Sequence, residues 1–191
     1  MRPLWLLPIA FSTLSPAQSF IVQHSNTTED LRGVSAVSAS ILWASGTHGT
    51  YLRTVDGGIT WVAAQIAGAE TLDFRDVEAF SANEAYLLAA GPGEQSRIYK
   101  TTDGGKTWDL QFTNREPKGF YDCMAFWDHT HGIALGDPLD GQFEMIATDD
   151  GGSHSAVPGM MSPPIIAIRA AVLFARGCTM SPARWSHTLN E

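Results

Sequence analysis

The chain has 191 residues, of which 44% are hydrophobic, 10% aromatic and 17% charged. That composition is typical of a globular protein with a core, and it excludes a chain that is disordered throughout. The formal net charge is −8, and every acidic residue except Glu191 lies between residues 20 and 155. Nucleic acid and anionic membrane are therefore not expected as partners, because phosphate groups are bound by clustered lysines and arginines.

The first twenty residues have the pattern of a secretory signal peptide. Arg2 supplies a positive charge, residues 4–14 are largely apolar, and Ala17 and Ser19 offer small residues for cleavage. The apolar run is too short, and too interrupted by proline, to cross a membrane as a helix. We expect residues 1–19 to be a signal peptide and the mature chain to be secreted or periplasmic. A buried N-terminal strand is the alternative.

A short motif recurs at a fixed interval. Residues 54–61 read TVDGGITW, residues 101–108 read TTDGGKTW, and a third copy begins as TDDGG at residues 148–152, so that the motif aspartates follow one another every 47 residues. Segments rich in β-branched and aromatic residues, separated by Gly, Pro, Asp and Asn, fill each unit and predict strands joined by turns. Four strands in a unit of this length form the blade of a β-propeller.

In the second unit we predict strands over residues 74–80, 84–90, 97–101 and 107–112, with the motif as the turn between the third and fourth strands. The glycines permit positive φ, the aspartate accepts backbone N–H groups, and the tryptophan is an apolar anchor. We expect Trp61 and Trp108 to be buried and equivalent. The residues with this structural role are Asp56, Gly58, Trp61, Asp103, Gly105, Trp108, Asp150 and Gly152.

The motif resembles the Asp-box, or bacterial neuraminidase repeat, whose pattern is Ser/Thr-x-Asp-x-Gly-x-Thr-Trp. Its period further resembles that of the photosystem II stability/assembly factor-like proteins, and the likeness covers residues 31–152. The resemblance implies an all-β, partial β-propeller of about three four-stranded blades, in which the Asp-box aspartates are structural. It also implies a role in assembling or stabilising a partner complex. It fixes no activity, because sialidases and sortilin-type receptors carry the same box.

The third motif breaks off after Gly152, where Ser153-His154-Ser155 replaces x-Thr-Trp. We therefore assign residues 20–157 to the blades and residues 158–191 to an aberrant or disordered tail. A frameshift or truncation in the gene explains the abrupt change, and a native docking tail is the alternative. Three blades do not close a propeller, so the chain is expected to be a fragment or to associate with itself through its open blade edge.

The turns opposite the Asp boxes form the candidate binding face. Alignment of the repeats places Arg32 and Arg75 at matching positions and Tyr121 at the same position in the third unit. Ion pairing with Asp76 or Asp122 at the strand starts is the structural alternative for the two arginines. The candidate binding residues are Arg32, Arg75, Asp76, Tyr121, Asp122, Asp137 and Asp140.

No residue is assigned a catalytic or metal-binding role, and no cofactor is expected. Asp128, His129 and His131 resemble a metal cluster, but they align with a turn between the first and second strands. The sequence favours a non-catalytic exported scaffold that binds a protein partner or a carbohydrate-like ligand. One alternative is a sialidase-type glycoside hydrolase, which needs a third arginine and a Tyr-Glu pair that the sequence does not assign. The other is an oxidoreductase of unknown chemistry.

Overall fold

The computed structural model describes residues 19–153, so the expected signal peptide up to residue 18 and the expected tail at residues 158–191 lie outside the described residues. The described chain is all-β, with eleven strands and one turn of 3-10 helix over Gly93–Gln95. The strands are β1 Leu31–Ala36, β2 Leu42–Gly46, β3 Thr50–Thr54, β4 Val62–Gln65, β5 Asp73–Ala79, β6 Ala85–Pro92, β7 Arg97–Thr101, β8 Asp109–Thr113, β9 Phe120–Phe126, β10 Gly132–Leu139 and β11 Gln142–Thr148. Blade 1 contains β1 to β4, blade 2 contains β5 to β8, and blade 3 contains β9 to β11.

Each blade is an antiparallel meander whose strands pair in chain order. The end of β6 also pairs with the start of β9, which joins blades 2 and 3 in one sheet. The all-β architecture is confirmed, and the strands of the second unit begin and end within two residues of their predicted bounds. Blade 3 has three strands in the described part of the chain, because the place for a fourth strand lies beyond Ser153.

The cores lie between blades, because blades 1 and 2 pack face to face, as do blades 2 and 3. Trp43 and Tyr51 of blade 1 pack with Phe74 of blade 2 in one core. The second core holds Tyr86 of blade 2 and Phe126 of blade 3, whose rings stack with their centroids 4.2 Å apart. Burial of such aromatic surface is the main favourable contribution to the stability of the array.

The Asp-box turns are closed by their own side chains. The Asp56 carboxylate accepts the backbone N–H of Thr60 at 2.9 Å, the Thr60 hydroxyl at 2.5 Å and the Thr54 hydroxyl at 2.7 Å. These hydrogen bonds lower the pKa of Asp56 to about 2. Asp103 makes the same contacts in blade 2, with the same effect on its pKa. In blade 3 Asp150 accepts the hydroxyl of Thr148 at 2.9 Å.

Positive φ at the paired glycines lets each box turn back onto its own blade. Gly57 and Gly58 have φ of 74° and 87°, and the glycines of the other two boxes lie in the same region. In each blade the first glycine then donates its N–H to a carbonyl of the turn between the first and second strands: Gly57 to Ser40 at 3.0 Å, and Gly104 to Asn83 at 2.9 Å. The box thus ties the third strand of a blade to its first hairpin.

The expectation that Trp61 and Trp108 are buried and equivalent is wrong. Both rings are partly exposed. Trp108 packs edge-on against Tyr51 and Trp43 of the preceding blade, at centroid distances of 5.0 and 6.2 Å. Trp61 has no preceding blade within residues 19–153, and its indole N–H donates to Gln23 of the lead-in segment at 2.9 Å. The two tryptophans differ because their neighbours differ, not because the boxes do.

Blade 1 exposes apolar positions that are buried in the other blades. Val34 is 71% exposed, whereas Val77 and Met124, at the same register in the first strands of blades 2 and 3, are 3% and 4% exposed. Leu31 is 45% exposed and its counterpart Phe74 is fully buried. In blades 2 and 3 these positions face the preceding blade, so blade 1 presents an uncovered blade interface.

We expect Trp108→Ala to destabilise the protein by about 3 kcal/mol, the lower end for removing a large aromatic side chain, because the ring is partly exposed. Trp61→Ala is the matched control, because it removes the same side chain from an Asp box that has no preceding blade within residues 19–153. Urea unfolding followed by fluorescence measures both losses. Equal losses for the two variants would contradict the assignment of Trp108 to the contact between blades.

Candidate functional site

The first strand of every blade carries a β-bulge at the same place. Arg32 in β1, Arg75 in β5 and Asp122 in β9 are each skipped by the pairing with the second strand of their blade. Bulges redirect a side chain away from the regular alternation and are frequent beside functional sites. The backbone thus gives these three residues equivalent positions in their blades.

This register corrects the repeat alignment made from sequence. Asp122, and not Tyr121, is the third-blade counterpart of Arg32 and Arg75. Tyr121 pairs with the second strand at the position held by Leu31 and faces the blade 2 core. An alignment that assumes regular strands does not register a skipped residue, and it therefore shifts by one at this point.

The three bulges line one groove of about 770 Å³ between the first strands of the blades, β1, β5 and β9. We call this the inner groove. Its volume lies within the range of ligand sites in proteins, about 300–1,000 Å³. The charged residues that line it are Arg32, Arg75, Asp76, Glu78 and Asp122.

Asp73 lies between the two arginines. Its carboxylate oxygens are 3.3 Å from Nε of Arg32 and 3.6 Å from Nε of Arg75, so it links blade 1 to blade 2. The arginine side chains remain 42% and 47% exposed and the guanidinium of Arg75 lies over the ring of Phe120. Sequence reasoning missed Asp73, although its place two residues before Arg75 puts both on one strand.

The carboxylates of Asp76 and Asp122 also line the inner groove. Asp76 accepts the backbone N–H of Met124 at 2.8 Å and that of Val77 at 2.8 Å, and so ties β5 to β9. Burial, together with the negative charge of Asp137, raises the pKa of Asp122 to about 6, and the positive charge of Arg75 opposes this rise. Asp137 is itself only 8% exposed. The groove therefore combines two arginines with a group of carboxylates.

Three of the predicted binding residues, Tyr121, Asp137 and Asp140, do not line the inner groove. The Tyr121 hydroxyl donates to Glu144 at 3.4 Å, a Tyr-Glu pair that sequence reasoning did not find. Burial and the charge of Glu144 raise the pKa of Tyr121 to about 12, whereas a tyrosine nucleophile needs a lowered pKa. The contact between Tyr121 and Glu144 therefore favours a packing role for Tyr121 over a catalytic one.

Asp140 lies in the turn between β10 and β11, where its φ is 50°.

The histidine-rich turn at residues 128–131 is stabilised by its own aspartate. Asp128 accepts the N–H groups of Thr130 at 2.8 Å and His131 at 2.7 Å, and these bonds lower its pKa. His129 instead contacts Glu84 at 2.7 Å. Between residues 19 and 153 no group of three or more His, Cys, Asp and Glu side chains is arranged to hold a metal ion. Over the same residues, no helix has the length and apolar character needed to cross a membrane.

Two solved structures share this arrangement of strands. A structure of YCF48 bound to D1 peptide matches with a TM-score of 0.56 and 21% identity over 73% of this chain. A structure of YCF48 from Cyanidioschyzon merolae matches with a TM-score of 0.52 and 20% identity over 71% of this chain. The fold is that of a β-propeller. The matched regions are 44% and 45% of those two chains, so this chain spans less than half of their length.

The expected resemblance to photosystem II assembly factors is confirmed at the level of the fold, because both matches are to YCF48. No family model matches the sequence, and no curated protein matches it. The likeness therefore establishes a partial β-propeller, and the function has to be argued from the inner groove.

The raised pKa of Asp122 predicts a pH-dependent effect of Asp122→Asn. The pKa of Asp122 rises from 3.8 to about 6 on folding, so the folded protein holds the proton of this carboxyl more tightly than the unfolded chain does. The contribution of Asp122 to the free energy of unfolding is therefore fully present below pH 4 and is lost as the pH rises through 6. We expect Asp122→Asn to raise the unfolding midpoint at pH 7.5 and to change it little at pH 4. Asp140→Asn is the control outside the groove. A stabilisation of equal size at both pH values would contradict the electrostatic origin of the effect.

Proposed function

We propose that this chain is a non-catalytic β-propeller scaffold that binds a protein partner in the inner groove. The observation that carries the proposal is the convergence of three bulged residues, Arg32, Arg75 and Asp122, on one groove. The fold likeness to YCF48, one of whose structures contains a bound D1 peptide, supports a polypeptide ligand. The resemblance to assembly factors further supports a role in assembling or stabilising a complex.

The chemistry of the groove suits a polypeptide segment. Arg32 and Arg75 are about half exposed and retain N–H donors for carbonyl or carboxylate oxygens. Asp122 lies in the same groove and accepts from N–H groups when it is ionised. A peptide offers both kinds of partner along its backbone. A carbohydrate-like ligand also offers hydroxyl donors and acceptors, and it is the alternative to be compared in the binding assay.

Export is a further part of the proposal. It is supported by the charge, apolar run and small residues of positions 1–19. The partner would then be met outside the cytoplasm. Detection of the chain in the extracytoplasmic fraction, with an N-terminus near residue 18 or 20, tests this point.

We expect Arg75→Ala and Asp122→Ala to weaken partner binding by roughly tenfold or more, since a charge-assisted hydrogen bond contributes about 1.5–3 kcal/mol. Lys106→Ala, in the Asp box of blade 2, is the matched control outside the inner groove. D1 peptide and native extract serve as probes in calorimetry and pull-down, with a sialylated glycan as the carbohydrate arm.

Equal loss of binding in the Lys106 variant would contradict the assignment of the inner groove. Sialoside cleavage that disappears in Arg75→Ala would replace the scaffold proposal by a glycoside hydrolase. Thermal melts of each variant separate loss of binding from loss of fold.

The open side of blade 1 supports association between two copies of the chain. Leu31 and Val34 of β1 are 45% and 71% exposed. Both hold positions that are buried between blades in blades 2 and 3. Two blade 1 faces that pack on each other would form a twofold interface, the commonest symmetry of soluble homodimers.

We expect Val34→Asp to shift the chain toward the monomer in size-exclusion chromatography with light scattering. Val34 is exposed in the single chain, so the change leaves its fold intact. Leu110→Asp, which places the same charge at a half-exposed site on blade 2, is the control. A monomeric parent chain, or an equal effect of both variants, would contradict association through blade 1.

A further inference from the structure

A small apolar cavity, which we call the interblade cavity, lies between blades 2 and 3. Tyr86, Ile98 and Phe112 line it from blade 2, and Ala134 and Ile146 line it from blade 3. Its volume is about 60 Å³, several times the roughly 10–15 Å³ that one water molecule needs. None of the described residues that line it carries a charge, and it shares none of them with the inner groove.

Strand register identifies the counterpart of this cavity between blades 1 and 2. Residues are equivalent when they stand at the same distance from the first threonine of their Asp box or pair with such a residue. The equivalent pairs are Tyr86 and Trp43, Ile98 and Tyr51, Phe112 and Ala64, Ala134 and Leu87, and Ile146 and Tyr99. All five counterparts belong to, or pack against, the core between blades 1 and 2.

In that core the corresponding place is taken by the Trp108 ring. Trp108 packs edge-on against Tyr51 and Trp43, and its indole N–H has no hydrogen-bond partner within residues 19–153. It stands seven residues after the first threonine of its box, and the same count from Thr148 arrives at Ser155. The third Asp box therefore supplies no tryptophan for the interblade cavity.

One residue of the cavity wall has no counterpart in blade 1. The pairing of β7 with β8 skips Gln111, which forms a β-bulge, whereas β3 and β4 pair without one. A bulge redirects the side chain of the extra residue, and Gln111 lines the interblade cavity. Its carboxamide oxygen is a hydrogen-bond acceptor. The cavity thus combines apolar walls with one acceptor at a defined place.

We propose that the interblade cavity binds a neutral, planar aromatic ligand of the indole type. The ring takes the place that Trp108 takes between blades 1 and 2, and its N–H donates to the Gln111 carboxamide. Apolar walls favour transfer of the ring from water, and the uncharged lining disfavours an ionised ligand. Trp108 is itself partly exposed, so one edge of the bound ring can remain at the mouth of the cavity.

Calorimetric titration of the full chain with indole tests this site. We expect binding at one site with a dissociation constant in the millimolar range or tighter, and a melting midpoint that rises with indole concentration. Benzofuran, which has the same ring shape without the N–H, is expected to bind several-fold more weakly. N-acetyl-tryptophanamide carries the ring on a peptide unit. Binding as tight as that of indole would assign the site to tryptophan side chains, and weaker binding would assign it to free small molecules.

Two substitutions fill the cavity by copying its counterpart. Ala134→Leu introduces the residue that blade 2 holds as Leu87, and Ile146→Tyr introduces the residue that it holds as Tyr99. Each is expected to weaken indole binding by roughly tenfold or more. Ala63→Leu is the matched control, because it adds the same atoms at a partly exposed site of blade 1 outside the cavity.

Gln111→Leu separates the acceptor from the apolar walls. It should retain binding of the ring and abolish the preference for indole over benzofuran. A preference that survives this change would overturn the role of Gln111. Absence of indole binding by the parent chain, full binding by the filled variants, or an equal loss in Ala63→Leu would overturn the site. Binding of D1 peptide is not a readout here, so these outcomes are independent of the proposed function.

Discussion

Burial of each blade face against the next blade is the interaction on which the rest of the structure depends. A single four-stranded meander has two apolar faces and cannot bury either one alone, so its stability comes from its neighbours. Trp43 and Tyr51 of blade 1 share one core with Phe74 of blade 2, and Tyr86 of blade 2 shares the next core with Phe126 of blade 3. Hydrogen bonds follow this packing, because the Tyr51 hydroxyl reaches across to the Gly105 carbonyl of the following Asp box at 2.6 Å.

The Asp box serves this packing from the rim of each blade. Its aspartate closes the turn, and its first glycine ties the turn to the hairpin of the same blade. The carbonyls of the box are thereby held where side chains of the preceding blade can donate to them. These contacts within and between blades explain why the motif recurs at a fixed interval.

The repeat period was enough to predict the blades, because glycine, aspartate and tryptophan at fixed spacing dictate a turn with little help from the rest of the chain. The same reasoning misplaced Tyr121, since a bulge at Asp122 is a property of strand pairing and leaves no mark in composition. It also treated Trp61 and Trp108 as equals, although within residues 19–153 a blade precedes the box of Trp108 and none precedes that of Trp61. Asp73 was missed for a related reason, because its contacts with Arg32 and Arg75 join residues of two blades.

Function in this fold is to be sought where the repeats differ rather than where they agree. The bulge position holds arginine in blades 1 and 2 and aspartate in blade 3, so one backbone device produces a groove with charges of both signs. The position that holds Trp43 in blade 1 and Tyr86 in blade 2 holds Ile133 in blade 3. A repeat that is constrained by packing at most of its positions is free to vary at the bulge and at the position of Ile133. Those two places are accordingly where this chain departs from a uniform array.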